Sequence, residues 1–138
     1  MTVAQGILRV ETAGRALHDI TAKVADWLAE AGLAKGTLHL FCRHTSAGLL
    51  ISENASMAVQ RDLLRWLDRL APERGHYEHD DEGPDDMPAH IRTMLTGSAL
   101  TIPFSSNRLL LGTWQGVFLA EHRARAHTRE IVLTAVGE

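Results

Sequence analysis

The sequence predicts one α+β domain spanning residues 1–138: an antiparallel β-sandwich with two or three helices packed on it. Three observations predict it. Strand-like segments outnumber helical ones, the helical periods cluster in the middle of the chain, and short polar or glycine-containing breaks separate the strands of its last third. There is no repeat, low-complexity tract or linker. A chain of 138 residues buries roughly two thirds of its unfolded surface and needs no covalent staple.

Residues 3–11 read as a strand, with Ile7 and Leu8 apolar and Arg9 and Glu11 polar. From Ile20 the period changes. Ile20, Val24, Trp27, Leu28 and Ala31 recur at helical spacing, Asp19 or Thr21 suits the start, and Gly32 suits the end. The stretch TLHLFCRH alternates, with Leu38, Leu40 and Cys42 on one face. That pattern makes Cys42 a small buried hydrophobe. A turn at Thr45–Gly48 leads to a second strand, GLLIS. Residues 55–70 form a helix with an apolar stripe of Met57, Leu63, Leu64, Leu67 and Leu70, Asn54 as N-cap and Pro72 beyond the end. A long acidic loop runs to about Asp86. A short helix follows from Met87 to Leu95, with Asp86 as N-cap and Gly97 after it. The remainder reads as strands: SALTIPF, RLLLGTWQ, GVFLAEHR and REIVLTAVG.

Composition narrows the function. With 45% hydrophobic and 22% charged residues the chain is ordinary for a soluble protein. A net charge of −3 and scattered basic residues argue against nucleic acid as partner. No apolar run approaches the ~18 residues of a membrane span. The single cysteine allows no intrachain disulfide, and the first residues do not form a signal peptide, so a cytoplasmic protein is expected.

Three stretches could carry chemistry. In RHTSAGLLISEN, His44, Thr45 and Ser46 stand at a strand end, and Glu53 and Asn54 at a helix start, where unpaired N–H groups attract anions. Turn formation and capping explain the same residues without a site. In GHYEHDDEGPDDMPAH, His79 is followed by acids that could orient it, and His90 lies in the first turn of its helix. Imidazole is the commonest transition-metal ligand, and His44, on a neighbouring turn, is the candidate third ligand. Solvated loop histidines are the alternative. In LGTWQG, Gly112, Trp114 and Gln115 offer a flat ring and an amide for a heteroaromatic group, or a tryptophan packed at a hairpin or subunit interface. In EHR, Glu121 and Arg123 share a face as surface charges at a strand end, and His122 is a reserve ligand.

FCRHTSAGLLISENA, YEHDDEGPDDMPAHI and LTIPFSSNRLLLGTWQGVFLAEHR together resemble the YjbQ-like family, in order and spacing, over about Gly6–Gly137. The resemblance implies a compact α+β fold around a β-sandwich, a homotrimer with a polar pocket near the subunit boundary, and metal-binding histidines. It also implies, for some members, a secondary thiamine-phosphate synthase activity. That reaction joins hydroxymethylpyrimidine diphosphate to a thiazole phosphate and releases pyrophosphate. His44 and Ser46 match the HT(S/T)A turn, Glu53 and Asn54 the polar pair before the second helix, and His79 and His90 the loop and helix histidines. Gly112, Trp114 and Gln115 match the GTWQ hairpin. Many members carry an Asn shortly before the equivalent of His90; here Asp85 and Asp86 occupy that region.

The expected function is a trimeric metal-binding enzyme of the thiamine-phosphate synthase type with a small phosphorylated substrate. His44, His79 and His90 hold a divalent metal, zinc on their chemistry although diphosphate reactions usually use magnesium. Ser46, Glu53 and Asn54 are the catalytic candidates, contacting phosphate oxygens or moving a proton, and Thr45, Gly112, Trp114 and Gln115 bind substrate. Its rivals are a metal-assisted hydrolase of a small phosphorylated or amide substrate and a non-enzymatic metal- or metabolite-binding trimer.

Overall fold

A computed structural model describes all 138 residues. The strands are β1 (Thr2–Thr12), β2 (Ala16–Asp19), β3 (Gly36–Cys42), β4 (Ala47–Glu53), β5 (Ala99–Ser105), β6 (Arg108–Leu109), β7 (Gln115–Glu121) and β8 (His127–Gly137). The helices are α1 (Thr21–Ala31), α2 (Met57–Leu70) and α3 (Asp86–Thr96). Every strand pair is antiparallel. Five strands in the order β1-β8-β3-β5-β6 form one sheet, and β2-β7-β4 form the other. The two sheets share one core: Leu38, Leu40, Ile131 and Leu133 from the larger meet Leu49, Val117 and Leu119 from the smaller. The fold class is therefore the one the sequence predicts.

Pattern explains the layers. β3 alternates buried and exposed residues because one face is solvated. β7 is buried from Gly116 to Glu121, because helices cover its outer face. Alternation sends Val117, Leu119 and Glu121 into the sandwich, and Phe118, Ala120 and His122 toward the helices. α3 packs on β4 and α2 on β2. Gly48 permits the first contact: a Cβ there would lie 2.5 Å from the Gly97 carbonyl oxygen.

Five local expectations are corrected. Asn54 is not the N-cap of α2; the helix starts two residues later with Ser56 in the cap position, and Glu53 accepts from the Ser56 N–H at 3.2 Å. Asn54 instead donates its backbone N–H to the Trp114 carbonyl, bracing the neighbouring hairpin. α3 begins at Asp86 with Asp85 as N-cap, and Asp85 makes no side-chain cap bond because Arg123 and the Ala124 N–H occupy its carboxylate. RLLLGTWQ is strand only at Arg108–Leu109 and at Gln115, which opens β7, since the chain between them leaves one sheet for the other and turns at Gly112–Gln115. β2 is an unforeseen strand, too short at four residues to show a period. α1 ends at Gly32, φ 70°, as expected, but Ile20 and not Asp19 or Thr21 stands in its N-cap position; Asp19, one residue earlier, accepts from the Thr21 N–H at 3.0 Å. No helix is long and apolar enough to cross a membrane.

Candidate metal centre

Three side chains converge where the acidic loop enters α3. Asp86 Oδ2 lies 2.7 Å from His79 Nε2 and 3.1 Å from His90 Nε2. The donor atoms of His79, Asp86 and His90 all lie within 4.8 Å of one another. Asp86 and His90 share a helix face because they are four residues apart. Asp86 is buried, and its other oxygen, Oδ1, accepts from Arg123 Nη1 at 2.6 Å. Arg123 also grips Asp85 through Nε at 3.0 Å and the Glu82 carbonyl through Nη2 at 3.0 Å, so one guanidinium ties β7 to the loop and to α3.

The outer nitrogens of both imidazoles are engaged. His90 Nδ1 lies 2.9 Å from the Thr45 carbonyl oxygen. A carbonyl only accepts, so Nδ1 carries a hydrogen and Nε2 is the nitrogen left to meet Asp86. His79 Nδ1 lies 3.5 Å from Asp81 Oδ1. This is the arrangement by which metal-binding histidines are commonly oriented. The hydrogen bond to Asp86 pushes His79 above its ordinary value. Burial works to raise the Asp86 carboxyl, but the His79 hydrogen bond and the charges of His90 and Arg123 outweigh it and hold it low.

His44 does not join this cluster, which corrects the expected ligand set. Its Nε2 accepts the Glu130 backbone N–H at 2.8 Å, and its Nδ1 lies 3.4 Å from Arg129 Nη1. Burial and the Arg129 charge push it below its ordinary value. It is a neutral clasp between the end of β3 and the start of β8, with its lone pair already used. Thr45 contributes its carbonyl, which fixes the tautomer of His90. Ser46 is buried; its hydroxyl and carbonyl oxygens both accept from Arg129 Nη2, at 3.0 and 3.2 Å.

The remaining expected site residues lie elsewhere in the chain. β4 and β7 pair Ala47 with Glu121 at one end and Glu53 with Gln115 at the other. The six residue steps between them span roughly 20 Å at about 3.3 Å per residue. Glu53, Asn54, Gly112, Trp114 and Gln115 therefore stand at the end of the strand pair remote from His79 and His90. Gln115 Oε1 accepts the Gly112 N–H at 2.8 Å and closes its own turn, while Trp114 is 64% exposed. Within one chain these residues cannot share a pocket with the histidine cluster.

Sequence reasoning missed three participants. Asp86 was assigned to capping, although its four-residue spacing to His90 signals a shared face. Glu121 and Arg123 were assigned to the surface and are buried. His122, the reserve ligand, is also buried, with Nε2 3.3 Å from Thr96 Oγ1. Burial and the charge of Arg92 lower it from 6.5 to about 4. The unfolded chain thus binds a proton that the folded chain refuses, and His122 costs stability progressively as pH falls from about 6.5 toward 4. Urea unfolding of His122→Gln at pH 7 and pH 5 is expected to show a smaller loss on acidification than the unsubstituted chain. Equal losses would overturn that assignment.

The fold and this cluster place the chain among two-sheet α+β domains, with two histidines and a buried acid gathered at the start of a helix. The chain belongs to the family described as UPF0047 protein YjbQ-like, whose model matches residues 6–138. It is 47% identical to UPF0047 protein sll1880 of Synechocystis, over 97% of this chain and 92% of that one. It is 40% identical to UPF0047 protein YjbQ of Escherichia coli O157:H7, over 97% and 98%. Among solved structures, an uncharacterised YjbQ/UPF0047 protein of Clostridium acetobutylicum superimposes with a TM-score of 0.88 at 33% identity, covering 95% and 99% of the two chains. A conserved hypothetical protein of Thermus thermophilus gives a TM-score of 0.85 at 35% identity, covering 95% and 99%.

Proposed function

We propose that the chain is a divalent-metal enzyme centred on His79 Nε2, His90 Nε2 and Asp86 Oδ2, acting on a small phosphorylated substrate. The observation that carries this reading is the convergence of two imidazole nitrogens on one buried carboxylate oxygen. When His90 is neutral, the lone pair of its Nε2 faces that oxygen at 3.1 Å, a contact between two acceptors that a proton on the nitrogen or a cation between them bridges. Without metal each contact needs its own imidazole proton; one metal ion answers both. Two imidazoles and one carboxylate suit zinc or a neighbouring transition ion, whereas magnesium favours oxygen donors.

When bound, such an ion supplies Lewis acidity toward a phosphoryl or carbonyl oxygen. The chain's own residues do the positioning. Arg123 fixes Asp86, the Thr45 carbonyl fixes His90, and Asp81 steadies His79. Beside His79 lies a hollow of about 610 Å³ lined by His76, Tyr77, Glu78, Asp80 and Met87 among others, a size suited to a small molecule. Its acids repel a bare phosphate, so a phosphorylated substrate is favoured there only with the cation in place.

The sequence resemblance supports thiamine-phosphate synthesis as the particular reaction. The nitrogen-rich donor set favours metal-assisted hydrolysis of a small phosphorylated or amide substrate as the second reading. Homotrimer assembly belongs to the same proposal, and a solution mass near 15.2 kDa, one chain, would remove it. The first experiment is elemental analysis of the purified protein and of His44→Ala, His79→Ala and His90→Ala. About one transition-metal ion per chain is expected, lost in the last two variants and kept in His44→Ala. Turnover of hydroxymethylpyrimidine diphosphate with thiazole phosphate, against phosphate release from small esters, then separates the two reactions. Absence of metal after reconstitution, with all variants folded, would sink the metal reading.

A further inference from the structure

A second polar cavity, of about 210 Å³, lies between β7, α2 and α3. Arg15, Asp68, Arg92 and His122 line it together with Leu64 and Leu67. It does not belong to the metal centre. Arg92 follows His90 by two residues and so points about 200° round α3, and His122 faces away from Arg123 by strand alternation.

Arg92 is only 2% exposed. Its Nη2 donates to the Ala71 carbonyl at 2.8 Å and lies 3.3 Å from Asp68 Oδ1. Its Nε and Nη1 are buried without any partner. Unpaired N–H groups on a buried guanidinium are costly and call for a ligand. Charge says which kind. Asp68, near the mouth, is shared between Arg92 and Arg15. Glu121, on the wall, is already committed to Arg129. His122 is neutral, and Glu73 acts on Arg92 only from the exposed loop. Burial and the nearby Arg15 push Arg92 downward, the response of a cation short of negative charge. Water would satisfy the hydrogen bonds and leave the excess positive charge standing.

We infer that this cavity binds a small oxyanion, of phosphate or carboxylate type, held by Arg92 at the floor and Arg15 at the mouth. The volume admits an ion of that size with a few waters and lies below the usual range for larger ligands. The inference stands independently of the metal reading, and its test keeps the two apart. Inorganic phosphate and acetate are titrated separately, by calorimetry at constant ionic strength, into the unsubstituted chain, Arg92→Met, Arg15→Gln and His79→Ala. Saturable binding of at least one anion at one per chain is expected. Arg92→Met should abolish it, Arg15→Gln should weaken it at least threefold, and His79→Ala should leave it unchanged. Arg15 is partly exposed, so its variant decides the matter if Arg92→Met does not fold. Binding of neither anion, or affinity unchanged in Arg15→Gln, or binding lost in His79→Ala, would overturn the inference.

Discussion

Glu121→Ala is expected to destabilise the domain by about 3–5 kcal/mol, the cost of removing one partner from a buried ion pair. Its side chain is fully buried and accepts from four donors on two strands and the loop after β7. Arg129 of β8 supplies Nε at 2.8 Å and Nη2 at 2.6 Å, Thr12 of β1 its hydroxyl at 2.6 Å, and Arg123 its backbone N–H at 3.1 Å. Arg129 continues to Ser46 ahead of β4, and the Arg123 side chain continues to Asp85 and Asp86. Without Glu121, Arg129 is a buried cation with no carboxylate. Urea unfolding at pH 7 measures the cost directly; a loss under about 1 kcal/mol would show that water reaches Arg129 and replaces the acid.

The same carboxylate predicts an acid limit. Burial works to raise the Glu121 carboxyl, but the Arg129 and Thr12 hydrogen bonds outweigh it, so the net displacement from 4.5 is downward. Its contribution is present above 4.5 and is lost as pH falls through the depressed folded value. The double variant Glu121→Leu with Arg129→Met is expected to recover much of the stability of Glu121→Ala, because an apolar pair leaves no charge stranded.

The elements were legible where one face of a segment is wet and the other dry. β3 shows its period because His39 and Phe41 are exposed while Leu38, Leu40 and Cys42 are not. α2 keeps only the middle of its expected stripe: Leu67 is buried and Leu63 and Leu64 are half-buried, while Met57 and Leu70 at the helix ends are exposed. The cluster of His79, Asp86 and His90 was half legible. Histidines advertise chemistry in a sequence, so His79 and His90 stood out. Asp86 did not, because an acid before a helical stretch first suggests a cap. His44 was misplaced because sequence does not reveal that the Glu130 N–H uses its lone pair. The buried network was hidden most completely. Glu121 and Arg123 read as surface charges and Arg129 gave no signal at all, and only the pairing of β7 with β4 and β1 with β8 brings them together. Arg92 was hidden likewise, since helical phase alone does not show that α2 covers it.

Asp86→Asn is expected to lower transition-metal affinity on the order of 100-fold or more. Outer groups that merely orient ligands already cost 10–100-fold when removed, and Asp86 Oδ2 is itself a donor atom within reach of both Nε2 atoms. The substitution keeps the size of the side chain and can keep an oxygen facing Arg123. It removes the negative charge that offsets a dication, and it turns an amide N–H₂ toward His79 and His90 in place of a ligand oxygen. His79 should report the change without any metal: its ionisation, raised by the hydrogen bond to Asp86, should move downward in a proton NMR titration. Chelator competition supplies the affinity. The contrast with His44→Ala decides between the two ligand sets. If the centre is His79, Asp86 and His90, then His44→Ala loses stability at the β3–β8 junction and keeps its metal, while Asp86→Asn folds and loses it. The reverse outcome would restore His44 as a ligand and reduce Asp86 to a helix-end acid whose closeness to two imidazoles is ordinary proton sharing.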